Sequence, residues 1–213
     1  MLHWPWLLGD RQYAFTKEAS TSDFPWLTAR DVPDLVRFRA RYGDPADPMH
    51  SGVFIVDPEG AEFEIRDPSL IARLSDSVGG PVRLLRLGRG CFDAMPLSII
   101  TTSMVTKMEQ AHGGSIAVER FRANLVIEPD DPATTEQEWL ERVLVVGAEG
   151  ACLDVTWATP RCAMVGVDAV TGTRDPSVVR TVARRFGNQV GAYCSVRHPG
   201  RVRIGDAITL AAF

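Results

Sequence analysis

Short apolar runs, separated by turn-forming residues, restrict the fold of this chain more than any other feature. Runs of four to six residues rich in Val, Ile and Leu occupy 82–87, 97–101, 116–119, 123–127, 142–146, 152–157 and 163–167. Such runs are typical of strands, and many short strands in succession are typical of a β-barrel. The 213 residues, 45% of them hydrophobic, suffice for a sizeable core in one large domain or two small ones. We therefore predict a mainly β protein with a few helices, of the α+β class.

Turn residues place two hairpins in this pattern. Residues 53–65 contain two strand-like runs around Asp57-Pro-Glu-Gly60, in which proline presets φ and glycine supplies a positive φ. Near the C-terminal end, the turn His198-Pro-Gly200 separates the runs 191–196 and 202–210. We predict a hairpin at each of these two places.

Cap residues predict three short helices, over 67–79, 102–111 and 175–187. The first and third begin with Asp-Pro, which is an N-cap followed by proline at the first helical position, and both end at glycine. The second ends before Gly113-Gly114, a pair typical of a helix stop. The clearest seam in the chain is Ser77-Val-Gly-Gly-Pro81. It predicts a smaller β-rich domain over residues 1–80 and a barrel domain over residues 81–213.

Charge and hydropathy exclude several classes of partner. The net charge is −4 and the chain has no Lys/Arg block, so we expect no nucleic-acid partner, although its arginines could still gather on one face. No apolar run approaches the ~20 residues that span a bilayer, and the first ten residues are too short for a signal peptide and are interrupted by Pro5. We expect a cytoplasmic protein without a membrane partner.

Cys162 is the strongest chemical candidate in the sequence. The four cysteines are Cys91, Cys152, Cys162 and Cys194, and their spacing includes no Cys-x-x-Cys pair, so we expect reduced thiols and no structural zinc site. Cys162 directly follows Pro160-Arg161, and a neighbouring guanidinium favours the thiolate form that binds soft metals and attacks electrophiles. The alternative is a buried apolar cysteine within a strand. Packing is the better interpretation for the other three cysteines.

Five segments in order resemble the MOSC domain family, the β-barrel of molybdenum-cofactor sulfurases and of the amidoxime-reducing component with its bacterial relatives. These segments are 93–100, 119–127, 160–172, 191–196 and 199–206, and they include Phe121-Arg-Ala-Asn124 and Arg161-Cys162. The runs 8–15 and 28–35 resemble the smaller domain that precedes MOSC in these relatives. The resemblance implies a MOSC-type β-barrel after a β-rich domain that is shortened at its N-terminus, since a Pro-Val-Lys-Ser-like segment for the cofactor phosphate is missing.

The resemblance also implies a site for molybdenum cofactor, a pterin dithiolene with a phosphate. Cys162 would be the catalytic residue and the metal ligand. Arg122 and Asn124, two apart on a predicted extended segment, would share a face and contact the phosphate or metal end and the pterin. Further cofactor contacts would be Arg11, Asp93 and Arg161. Without the resemblance, a salt bridge at the barrel end and a turn amide would be the preferred interpretation of Arg122 and Asn124.

Three functions remain open at this point. The first is an oxidoreductase that reduces N-hydroxylated or N-oxide small molecules with electrons from a partner redox protein. The second is a sulfur carrier, in which a Cys162 persulfide is supplied by a cysteine desulfurase that depends on pyridoxal phosphate (PLP). PLP would thus enter only through a partner. The third is a non-catalytic cofactor-binding module.

Overall fold

The computed structural model describes residues 2, 7–18, 25–88, 90–92 and 94–211. They form two compact units. The smaller unit comprises residues 8–93 and 169–172, and the larger unit comprises residues 1–7, 94–168 and 173–213. The described residues contain three α-helices and eleven strands, which confirms the predicted α+β class.

The smaller unit contains two sheets and one helix. Strands β1 (Tyr13–Lys17) and β5 (Val82–Arg86) pair antiparallel, and β2 (Arg39–Tyr42), β3 (Val53–Val56) and β4 (Glu62–Glu64) form a second antiparallel sheet. The predicted hairpin over 53–65 is confirmed as β3 and β4. Helix α1 (Pro68–Val78) begins at the N-cap Asp67 and ends at Gly79, as predicted. Strand β5 follows the predicted seam but pairs with β1, so the division into domains 1–80 and 81–213 stays a proposal.

The larger unit is built on a six-stranded sheet. Its strands are β6 (Leu97–Thr101), β7 (Leu125–Ile127), β8 (Val143–Val146), β9 (Ala151–Pro160), β10 (Gln189–His198) and β11 (Ile208–Leu210). Their order is β11-β8-β9-β10-β6-β7, and only the β6–β7 pair is parallel. Register shifts between β9 and β10 bend these two long strands, and the sheet curls into a half-barrel.

Two helices cover one face of this sheet. Helix α2 (Thr102–His112) has Thr101 as its N-cap, and helix α3 (Pro176–Phe186) has Asp175, so both predicted helices are confirmed. Strand β6 is buried along its whole length. Its alternate residues point to opposite faces: Ile99 packs into the core between the strands, and Ile100 packs into the core beneath the helices.

Three predicted strand elements are wrong. Residues 118–121 and 163–166 form 3₁₀ turns, because Phe121 and Val165 pack with the helices and Gly166 lies against α3, where a Cβ would be 2.7 Å from a Val179 methyl group. The C-terminal hairpin does not form, and β11 pairs with β8 instead. The backbone of Gly200 bonds to Leu2 (2.8 and 3.2 Å), and the chain then passes from the interior strand β10 to the edge of the sheet beside β8.

Candidate functional site

Cys162 lies where β9 has ended and a 3₁₀ turn begins. Pro160 is the last residue of β9, and Cys162 precedes the turn Ala163–Gly166 with extended backbone angles. The turn closes on the cysteine, since the Val165 amide donates to its carbonyl oxygen at 3.3 Å. Cys162 is exposed, so the alternative of a buried cysteine within a strand is wrong. Its sulfur is accessible to a ligand or to a second protein.

The side chain of Arg161 turns inward, away from solvent. Nε donates to the Val190 carbonyl at 2.6 Å and Nη1 to the Phe121 carbonyl at 2.7 Å, while the guanidinium lies 5.5 Å from the Phe121 ring centre. Burial lowers the pKa of Arg161 to about 10, against opposing contributions from Tyr193, Glu136 and Cys162. Arg161 therefore stays charged at neutral pH, and it joins three distant segments of the chain.

Gly191 makes this inward path possible. Its φ is +84°, and a Cβ there would lie 2.5 Å from Nη2 of Arg161 and 2.9 Å from the Ile99 carbonyl oxygen. Any side chain at this position would occupy the space of the guanidinium. The glycine is thus required both by its backbone conformation and by its contact with Arg161.

Arg122 and Asn124 do not share a face of an extended segment, so this part of the prediction is wrong. Arg122 ends the 3₁₀ turn Val118–Phe121 in a left-handed conformation with φ of +50° and is exposed. Asn124 is half-buried, and its Oδ1 accepts from the Ser98 amide at 3.0 Å. Asn124 therefore links β6 to the start of β7. Both cofactor contacts stay predictions.

Arg161 connects the predicted metal ligand to Arg122. The Arg161 guanidinium donates to the carbonyl of Phe121, the residue directly before Arg122. Cys162 directly follows Arg161 in the sequence. The exposed residues Cys162 and Arg122 therefore belong to segments that are joined by the half-buried side chain of Arg161. This arrangement suits an anionic ligand that also offers a soft metal.

Two further predicted cofactor contacts are Arg11 and Asp93. Arg11 is in the smaller unit, has φ of +49° and pairs with Asp10 at 2.8 Å. Asp93 falls outside the described residues. Among the residues that the structure describes, no cluster of three or more His, Cys, Asp or Glu side chains could hold a metal ion. The roles of Arg11, Asp93 and Arg161 in a cofactor site stay predictions.

Sequence reasoning missed two residues beside this site, Glu136 and Gln137. Glu136 is fully buried, and both side chains bond to the backbone of Gly191. The only sequence signal is the capping box Thr135-x-x-Glu138, which predicts a helical start but not the direction of the two residues between its members.

This chain belongs to the MOSC domain family, whose sequence profile matches residues 83–209. The predicted family is thereby confirmed. The described part of the chain includes no helix with the length and apolar character of a membrane span.

Relatives of known name are molybdenum cofactor sulfurases. The protein from Bombyx mori is 34% identical over 103 residues, covering 45% of this chain and 11% of the relative. The protein from Aspergillus niger is 26% identical over 182 residues, covering 78% of this chain and 21% of the relative. The chain therefore spans about a tenth to a fifth of the length of these relatives.

Two solved structures resemble the chain at low identity. The YUAD protein from Bacillus subtilis has a TM-score of 0.47 and 17% identity, with 82% of this chain and 76% of that chain covered. YiiM from Geobacillus stearothermophilus has a TM-score of 0.43 and 17% identity, with 55% of each chain covered.

Proposed function

We propose that this protein binds molybdenum cofactor, with the Cys162 sulfur as the protein ligand to molybdenum. The observation that carries the proposal is the exposed thiol on a turn that Arg161 ties to the segment of exposed Arg122. Family membership and the sulfurase relatives support it. A soft thiolate suits a metal that is already bound by dithiolene sulfurs.

The residues around Cys162 fit the charge of the cofactor. The phosphate and dithiolene are anionic, and a guanidinium fork such as that of Arg122 binds phosphate oxygens with two parallel hydrogen bonds. Asn124 would contact the pterin through its side-chain amide, whose oxygen also accepts from the Ser98 amide at 3.0 Å. It fixes the start of β7 two residues beyond Arg122.

Under this proposal the enzyme is an oxidoreductase acting on N-hydroxylated or N-oxide small molecules. Bound molybdenum would supply the oxygen-atom transfer chemistry. Reduction of an N–OH group to N–H consumes two electrons and two protons and releases water, and the electrons come from a separate electron-transfer protein. The protein groups named here bind and orient, with Cys162 holding the metal and Arg122 neutralising the anionic cofactor.

The sulfur carrier is the second candidate, and the relatives named as molybdenum cofactor sulfurases favour it. The Cys162 thiolate would attack the terminal sulfur of a persulfide on a PLP-dependent cysteine desulfurase. A new S–S bond forms at Cys162, the old S–S bond breaks, and the desulfurase cysteine leaves as a thiolate. Exposure of Cys162 is what such an encounter between two proteins requires.

Metal and pterin analysis separates these candidates. The whole chain is purified from a host that makes molybdenum cofactor, beside Cys162→Ser and the control Cys152→Ser, which changes a half-buried cysteine on β9. We expect molybdenum and pterin in wild type and in the control, and loss of most of the molybdenum in Cys162→Ser. Absence of both from wild type would refute cofactor binding. A one-sulfur mass gain on Cys162 after incubation with a desulfurase would then support the carrier.

A non-catalytic module is the third outcome. Molybdenum and pterin would remain bound in Cys162→Ser, and neither reduction of N-hydroxylated compounds nor sulfur uptake would be detected. That result would leave cofactor binding intact and reject both mechanisms that depend on the cysteine.

A further inference from the structure

We infer that Glu136 and Gln137 are positioning residues for the Cys162 turn, and that they act through Gly191 and Arg161. The inference deepens the proposed function, since it takes Cys162 as the working group of the site. It rests on a continuous set of hydrogen bonds that runs from a helix N-terminus to the residue beside the thiol.

Glu136 is the centre of this set. The side chain is fully buried, and each carboxylate oxygen is used. Oε1 accepts from the Gly191 amide at 2.8 Å, while Oε2 accepts from the Thr101 amide at 2.9 Å and from its hydroxyl at 2.7 Å. Thr101 is the N-cap of α2, so the carboxylate joins that helix to the start of β10. Burial of a carboxylate is costly, and only dense hydrogen bonding of this kind makes it tolerable.

Gln137 bonds to the second backbone group of Gly191, its carbonyl. Its Nε2 donates to the Gly191 carbonyl at 3.0 Å, so both the amide and the carbonyl of this residue are held from the same 3₁₀ turn, Glu136–Trp139. The capping box between Thr135 and Glu138 stabilises that turn. The side chains of the two residues between them both reach Gly191 on β10. The backbone conformation of Gly191 is therefore set by side chains more than fifty residues away in the sequence.

Arg161 receives its position from the same stretch of β10. The Val190 carbonyl accepts from Nε at 2.6 Å, the Arg161 amide donates to Asn188 at 2.9 Å, and Nη2 lies against Gly191. A shift of the 190–191 backbone would displace the guanidinium and with it the adjacent Cys162. The Arg161 bond to the Phe121 carbonyl would weaken at the same time, so Arg122 would lose its fixed position.

Native-state amide exchange of Glu136→Gln tests the inference. Glutamine keeps the size of the side chain but presents an NH₂ group to a backbone N–H donor, so the contact with either Gly191 or Thr101 is lost. We expect exchange of the Val165 and Val167 amides, which close the Cys162 turn, to accelerate about tenfold or more, as loss of one buried hydrogen bond implies. At constant pH, the alkylation rate of Cys162 in this variant should also differ from that in wild type, whereas the alkylation rate of Cys152 should not.

Asp57→Asn is the matched control. Asp57 is also a buried carboxylate that accepts two backbone N–H groups, from Glu59 at 3.0 Å and Ala61 at 2.8 Å, but it lies in the smaller unit. We expect this variant to lower stability without faster exchange at 161–167. Equal acceleration in both variants, or unchanged exchange in Glu136→Gln, would overturn the inference.

Gln137→Met provides a second variant if Glu136→Gln does not fold. It removes only the bond to the Gly191 carbonyl, and the same amides should exchange faster by a smaller factor; unchanged exchange would refute the role of Gln137. These measurements need no cofactor. Absence of molybdenum from the wild type would refute the proposed function and leave the positioning result standing.

Discussion

The contact between Gly191 and Arg161 predicts that Gly191→Ala destabilises the larger unit strongly. The added Cβ would lie 2.5 Å from Nη2 of Arg161 and 2.9 Å from the Ile99 carbonyl oxygen. Ile99 belongs to the buried strand β6, so its backbone cannot move without disturbing the sheet. The guanidinium must therefore move, and its bonds to Val190 and Phe121 must lengthen.

Two contributions determine the magnitude. Placing alanine at a positive φ costs about 1–2 kcal/mol, and weakening one charge-assisted hydrogen bond costs about 1.5–3 kcal/mol. Together they predict a loss of about 2.5–5 kcal/mol in the free energy of unfolding. Gly187→Ala is the control, because Gly187 has φ of +58° in the same unit and a Cβ there meets no atom within 4 Å. It should lose only the conformational contribution.

Urea unfolding measures both variants, and a double-mutant cycle isolates the clash. In an Arg161→Met background the Gly191→Ala substitution should cost less, by about 1.5–3 kcal/mol. A cost no larger than that of Gly187→Ala, or an unchanged cost in the Arg161→Met background, would refute the proposed contact. Faster alkylation of Cys162 in Gly191→Ala than in Gly187→Ala would show that the clash with Arg161 also affects the Cys162 turn.

Thiol labelling and acid unfolding test two further features. Cys194 is fully buried, and burial raises the pKa of its thiol to about 12. Iodoacetamide should therefore label exposed Cys162 in the native protein and Cys194 only after unfolding. Comparable labelling rates of the two cysteines in the native protein, measured by peptide mass spectrometry, would contradict this prediction. The Ser177 hydroxyl and amide lower the pKa of the N-cap carboxyl Asp175 below 3.8, so its stabilisation is complete above pH 3.8 and is lost as the pH falls through the lower folded value. Thermal unfolding followed by circular dichroism should show Asp175→Asn less stable than wild type at neutral pH and the difference shrinking in acid; a constant difference would refute the assignment.

The sequence by itself determined the features that depend on neighbours a few residues apart. Asp67, Thr101 and Asp175 cap the three helices through amides two or three residues ahead, and glycine ends each helix. The hairpin at Asp57-Pro-Glu-Gly60 closes in the same local way. The motif around Arg161-Cys162 identified the family, since those residues are adjacent in the sequence.

Only the tertiary structure decided the features whose partners are distant. Residues 116–119 and 163–167 have strand-like composition, but Phe121 and Val165 lie against helices, which gives 3₁₀ turns. Strand β11 pairs with β8, more than sixty residues earlier in the chain, and the Gly200 backbone bonds to Leu2. The inward direction of Arg161 depends on carbonyl groups at Phe121 and Val190 and on the space left by Gly191. Local pattern carries no information about such contacts, because each joins segments that only the packed core brings together.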